Sequence, residues 1–146
     1  MVARYLLGAA MFGVGIIAAM QPPVNAALAK RTGSLEATAV SFAVGTIILI
    51  AAALLVGQGS LTAVRHAPAW QLSGGLIGAL FVWATVLLVP KLGAAGLLAG
   101  IIGGQLAGGV LIDRFGLFGL PQVGLTWPKA LGLLLLVVGG MLVVRR

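Results

Sequence analysis

Residues 36–56 read EATAVSFAVGTIILIAAALLV, bounded by a single charge at Glu36 and by the polar, turn-prone run Gly57-Gln58-Gly59-Ser60. An α-helix needs ~20 mostly apolar residues to cross the ~30 Å hydrocarbon core of a bilayer, and this stretch supplies them. Backbone groups in hydrocarbon must be hydrogen-bonded internally, which leaves helices or closed barrels. A barrel strand alternates apolar with polar residues; this stretch does not, so it reads as a spanning helix.

Working outward, the same reading covers residues 4–30 and 70–89, the latter closed by Pro90-Lys91-Leu92-Gly93. It covers 94–112, closed by Asp113-Arg114, and 127–144, followed by Arg145-Arg146. So short a turn after residue 89 makes the third and fourth segments antiparallel neighbours. Residues 113–126 mix Phe115, Leu117, Phe118 and Leu120 with glycine and proline, too broken to span, and read as an interfacial segment. The expected fold is an all-α integral membrane protein of about five transmembrane helices, a single domain over residues 1–146.

Composition agrees. The chain of 146 residues is 61% hydrophobic and 8% charged, with a mean hydropathy of +1.20, far from a soluble globular protein. Its apolar start runs on past the length of a signal-peptide core into further spans, so no cleaved signal is expected. The net charge of +7 lies at helix ends, where Lys and Arg meet lipid headgroups; it predicts membrane contact and no nucleic-acid partner. Tyr5, Trp70 and Trp127 fall at segment ends as an aromatic belt. With no cysteine, one histidine and two carboxylates, no metal site, cofactor or catalytic centre can be assembled.

Five crossings would place Arg4, Arg65, Arg114 and Lys129 on one side and Lys30, Arg31, Lys91, Arg145 and Arg146 on the other. That near balance is what a chain inserted in both orientations shows.

Gly96, Gly100, Gly104 and Gly108 recur at a four-residue interval, leaving one stripe of the fourth segment without side chains. Such a stripe lets another helix approach closely, so these four are expected to serve helix packing.

Polar groups within a span are costly and therefore informative. Residues 4–30 extend ~39 Å as a helix, longer than the bilayer core, so a bend is expected, and Pro22-Pro23 marks it. The prolines supply no amide proton to the carbonyls of Ala18 and Ala19, while Gln21 and Asn25, four residues apart, share a helix face. Two readings stand: a broken helix presenting amides and free carbonyls to a solute, or a helix ending at Met20 followed by a loop. Gln105, mid-segment beside Gly108 and Gly109, is a ligand contact or an interhelical hydrogen bond. Trp83, away from the belt, is a cavity wall or packing. Ser41, Thr46 and Thr85 can bond their own helix backbones, and Ser41 joins the candidate set. The substrate-binding candidates are thus Gln21, Asn25, Ser41, Trp83 and Gln105. Glu36 opens one segment and Asp113, paired with Arg114, closes another; neither lies mid-membrane.

Four runs, Gln21-Pro22-Pro23-Val24-Asn25-Ala26, Ser41-Phe42-Ala43-Val44-Gly45, Gly103-Gly104-Gln105-Leu106 and Ile112-Asp113-Arg114-Phe115-Gly116-Leu117-Phe118-Gly119, resemble the YdcZ-type family of the drug/metabolite transporter superfamily. The resemblance covers nearly the whole chain. It implies a multi-pass protein of the bacterial inner membrane whose helices form half of a ten-helix inverted-repeat transporter, completed by dimerisation. The implied partners are a second, antiparallel copy or an oppositely oriented paralogue, membrane lipid and a small-molecule substrate. Related small multidrug resistance proteins bind cations through a buried Glu in the first helix, which has no acid here. Expected function is therefore alternating-access transport of a neutral or zwitterionic metabolite. Export of hydrophobic cations, a non-transporting membrane subunit or scaffold, and a narrow anion channel are the alternatives.

Overall fold

The computed structural model describes residues 2–144, the Arg4 side chain excepted. Arg145, Arg146 and that side chain, which enter the charge balance, lie outside the described residues. Among the described residues there is no strand. The helices are α1 (Val2–Ala18), α2 (Gln21–Thr32), α3 (Ser34–Val56), α4 (Ser73–Phe115) and α5 (Trp127–Val144), with short 3-10 turns at Leu61–His66, Ala69–Leu72 and Leu117–Gly119. Among the described residues, four stretches are long and apolar enough to cross a membrane: Tyr5–Thr32, Ser34–Val56, Ala69–Phe115 and Trp127–Val144. The third comprises two helical stretches that meet at Gly93, whose φ of 71° and ψ of 163° are not helical. Pro90 lies inside the helix ahead of that break, so the interruption comes at the end of the Pro90–Gly93 run. By contacts the chain divides into two compact units, Met1–Lys91 and Leu92–Arg146.

In the first unit, the break between α1 and α2 falls at Ala19–Met20, ahead of the prolines. Pro22 and Pro23 then occupy the first turn of α2, where an amide proton has no intrahelical partner to meet. Asn25 follows within the helix, so the loop reading of Gln21–Asn25 does not hold. Gly33 alone separates α2 from α3, with φ 101° and ψ 157°, a region essentially closed to residues with a Cβ. Its amide bonds Ala29 O at 2.9 Å and its carbonyl accepts from Ala37 N at 3.0 Å. One residue therefore closes both helix ends, and α2 packs on α3. Lys30 and Arg31 in the last turn of α2, and Glu36 in the first turn of α3, complement the two helix dipoles. The first half of α4 meets α3 at two levels: Trp83 against Ser34, and Gly78 where an added Cβ would touch the Phe42 ring at 3.5 Å. Ascending numbers on α3 meet descending numbers on α4, so the two run antiparallel.

In the second unit, residues 94–115 and α5 also run antiparallel. A Cβ on Gly96 would lie 3.8 Å from Val144, and one on Gly140 would lie 3.6 Å from Ala99. Chain reversal through residues 116–126 is held by Val123 N to Asp113 O at 2.9 Å and by Gln122 Nε2 to Phe115 O at 3.4 Å, which occupy carbonyls at the C-terminal end of α4. Of the glycine stripe, Gly96 alone faces another helix of its unit closely. Cβ atoms on Gly100, Gly104 and Gly108 would meet no described atom within 4 Å.

Candidate functional site

The candidate polar side chains are divided between the two units. In the first unit, Pro22, Asn25 and Ala26 are the buried residues of α2, spaced three and four apart and hence on one face. Asn25 is 5% exposed, and its Nδ2 meets no acceptor within the described residues. A buried amide left in this way costs about 1–3 kcal/mol, which core packing alone gives no reason to retain. Gln21 stands one turn earlier on the same helix and is exposed. The carbonyls of Ala18 and Ala19 lack their helical donors because those positions are Pro22 and Pro23.

Trp83 is half-buried, and its indole Nε1 donates to Ser34 Oγ at 3.1 Å, fixing the ring against the start of α3. Ser34 does double duty, since its carbonyl accepts the Thr38 hydroxyl at 2.8 Å. Thr85, buried, returns its hydroxyl to Val82 O at 2.7 Å, so it serves its own helix. Ser41 lies half-buried further along α3. Gln21, Asn25, Ser41 and Trp83 thus belong to the first unit. Gln105 belongs to the second.

There, Gln105 lines a cavity of about 360 Å³ between the second half of α4, the 116–126 connection and α5. The polar side chains among its lining residues are Gln105, Asp113 and Lys129; the walls are leucine, valine and glycine. Asp113 Oδ2 lies 4.0 Å from Lys129 Nζ, with the side chains 47% and 43% exposed. The pairing with Arg114 expected from adjacency gives way to one across the chain reversal. Neighbouring residues on a helix point some 100° apart, whereas the reversal returns the first turn of α5 to the end of α4. At this exposure the pair contributes less than about 1 kcal/mol to stability. Its interest lies in the charges it brings to a cavity.

Asp113 and Lys129 escaped the sequence-based site list because each reads as a terminal headgroup anchor. The available signal was their position on either side of a glycine- and proline-broken segment too short to span, which returns the two charges to one level.

Comparisons with known proteins place the chain in a family. Residues 6–142 match the family described as "Putative inner membrane exporter, YdcZ". The chain belongs to the YdcZ family. It is 42% identical over 77 residues, 53% of its length, to the protein named "Inner membrane protein YdcZ" of Escherichia coli (strain K12). That match covers 51% of the relative, so the chain spans about half the length of the curated protein it matches. No solved structure matches significantly. As a YdcZ-family member with four apolar helices able to cross a bilayer, the chain is a protein of the inner membrane. The family's description is one of transport and not of an enzyme class.

Proposed function

We propose that this YdcZ-family chain is a half-sized small-molecule transporter that works by alternating access as an antiparallel dimer and carries a neutral or zwitterionic metabolite. The observation that carries the reading is Asn25: a carboxamide at 5% exposure, without an acceptor for its Nδ2, on a helix that begins at a proline pair. Discontinuous helices with unpaired backbone and amide groups are what transporters use to hold solute inside a bilayer. Gln21, Asn25, Ser41, Trp83 and Gln105 are its proposed solute-facing residues. Glycines at 100, 104 and 108, where an added Cβ would have no described atom within 4 Å, are proposed to pack against a second copy.

The crossing number follows from length. Residues 69–115 amount to 47 residues, ~70 Å as a helix, more than twice the bilayer core, and Gly93 interrupts them. Cut there, the chain makes five crossings, and the basic residues divide four against five. Single cysteines, one as Val2→Cys and one appended after Arg146, should each label partially with an impermeant thiol reagent on intact cells, and fully on opened ones. One fixed side for each end would remove the antiparallel homodimer and require an oppositely oriented paralogue.

Transport itself is tested by reconstituting the purified chain alone into liposomes and following efflux of a mixed pool of labelled neutral and zwitterionic metabolites. Selective, protein-dependent efflux is expected. Failure to move any member of the pool would favour the subunit or scaffold reading. Export of a hydrophobic cation is disfavoured by the Lys129 ammonium 4.0 Å from Asp113, since a cation drawn to the carboxylate would meet it.

A further inference from the structure

We infer that the cavity of the second unit binds a small zwitterion: an ammonium and an anionic group close together, carried on an apolar body. The transport reading supplies only the step from ligand to transported solute; the binding itself stands on this cavity.

Three observations carry it. Oδ2 of Asp113 and Nζ of Lys129 stand 4.0 Å apart, beyond the 2.7–2.9 Å of a charge-assisted hydrogen bond, so neither group is fully engaged by the other. A zwitterion resolves this, its ammonium taking Asp113 and its anionic group taking Lys129. A lone cation or anion satisfies one residue while facing the like charge of the other. Second, about 360 Å³ is room for a small solute, and apart from this pair and Gln105 the lining is apolar, with Leu106, Val110 and Leu133 among its walls. A largely apolar body is therefore matched by these walls. Third, Gln105 lies ~12 Å along α4 from Asp113, offering the same cavity a donor and an acceptor beyond the charged end.

Both a soluble amino-acid-like molecule and a zwitterionic phospholipid carry this chemistry, and the experiment separates them. Delipidated full-length protein in detergent is titrated with labelled L-leucine, the simplest probe with an α-ammonium, a carboxylate and a branched apolar body. Isobutylamine and isovalerate, each with one charge, serve as competitors. Saturable leucine binding is expected, with both competitors at least about tenfold weaker. Asp113→Asn and Lys129→Gln should each weaken binding about 10- to 100-fold, the equivalent of losing one hydrogen bond to a charged group. Glu36→Gln, which removes the other carboxylate, should leave binding unchanged. The exchanged pair Asp113→Lys with Lys129→Asp retains both charges and guards against misfolding of the single variants; it should regain most of the affinity.

If leucine does not bind but phosphatidylethanolamine is retained through purification and lost in Asp113→Asn, the charge chemistry stands and the ligand is a lipid head. Absence of both, or leucine binding indifferent to both single variants, overturns the inference. Because binding is read without flux, a protein that binds yet transports nothing would lose the transport reading and keep this site.

Discussion

Replacing Asn25 with Leu is expected to abolish solute efflux from liposomes while leaving the protein as stable as its parent, or more so. Most substitutions at a buried polar residue destabilise because they strand a partner. Here Nδ2 has no partner among the described residues to strand, and Leu has as many side-chain heavy atoms as Asn while needing no hydrogen bond. Removing an unsatisfied buried amide recovers up to about 1–3 kcal/mol, a gain visible as a raised melting temperature in detergent. Function should move the other way. If the amide contacts the solute at the proline break, efflux per folded molecule should fall at least about tenfold, the equivalent of one hydrogen bond. Opposed changes in activity and stability are the mark of a group kept for function. Unchanged efflux in Asn25→Leu would remove Asn25 from the site. A loss of activity that merely tracks a loss of folded protein would make the residue a structural one.

Gly33→Val should be the most damaging single substitution for stability in the first unit. Its φ of 101° and ψ of 157° lie where a β-branched residue is strained, which alone costs about 1–3 kcal/mol. A Cβ there would also collide with the Glu36 carboxylate, which folds back over the glycine. Because Gly33 alone joins α2 to α3, relieving the strain opens the packed α2–α3 pair. Thermal unfolding in detergent should therefore come markedly earlier, and efflux should fall with it. Combining Gly33→Val with Glu36→Ala separates the causes. Removing the carboxylate relieves the collision but not the backbone, so most of the loss should persist. Full recovery in the double variant would mean that the side-chain clash, and not the dihedral, governs the position.

Both predictions rest on features that were only half legible in the sequence. Pro22-Pro23 announced an interruption, and four-residue spacing put Gln21 and Asn25 on one face, because proline chemistry and helical period are local properties. The break nevertheless fell at Ala19–Met20, since prolines are accommodated in a first helical turn and the interruption moves ahead of them. That Asn25 is buried without an acceptor depends on which helix lies against α2, and no local pattern encodes that.

The glycine stripe shows the same division. A four-residue interval makes Gly96, Gly100, Gly104 and Gly108 a continuous stripe that winds about 40° around the helix per step, yet it does not say what faces them. Gly96 meets Val144, while a Cβ on any of the other three would have no described atom within 4 Å. Trp83 likewise could be recognised as an aromatic away from the interfacial belt. That its indole ties α4 to Ser34 required the antiparallel arrangement of α3 and α4.

By itself the sequence determined that this chain lives in a membrane as apolar helices, and that the runs around Pro22-Pro23 and Pro90–Gly93 interrupt them. Those outcomes follow from apolar run length, from the need to satisfy the backbone in hydrocarbon, and from the local geometry of proline and glycine. The tertiary structure alone decided which side chains meet: Asp113 with Lys129 across a chain reversal, Trp83 with Ser34, and Asn25 Nδ2 with no acceptor among the described residues. Spacing along a helix fixes direction around its own axis, but the neighbour met in that direction is chosen by how separate helices pack.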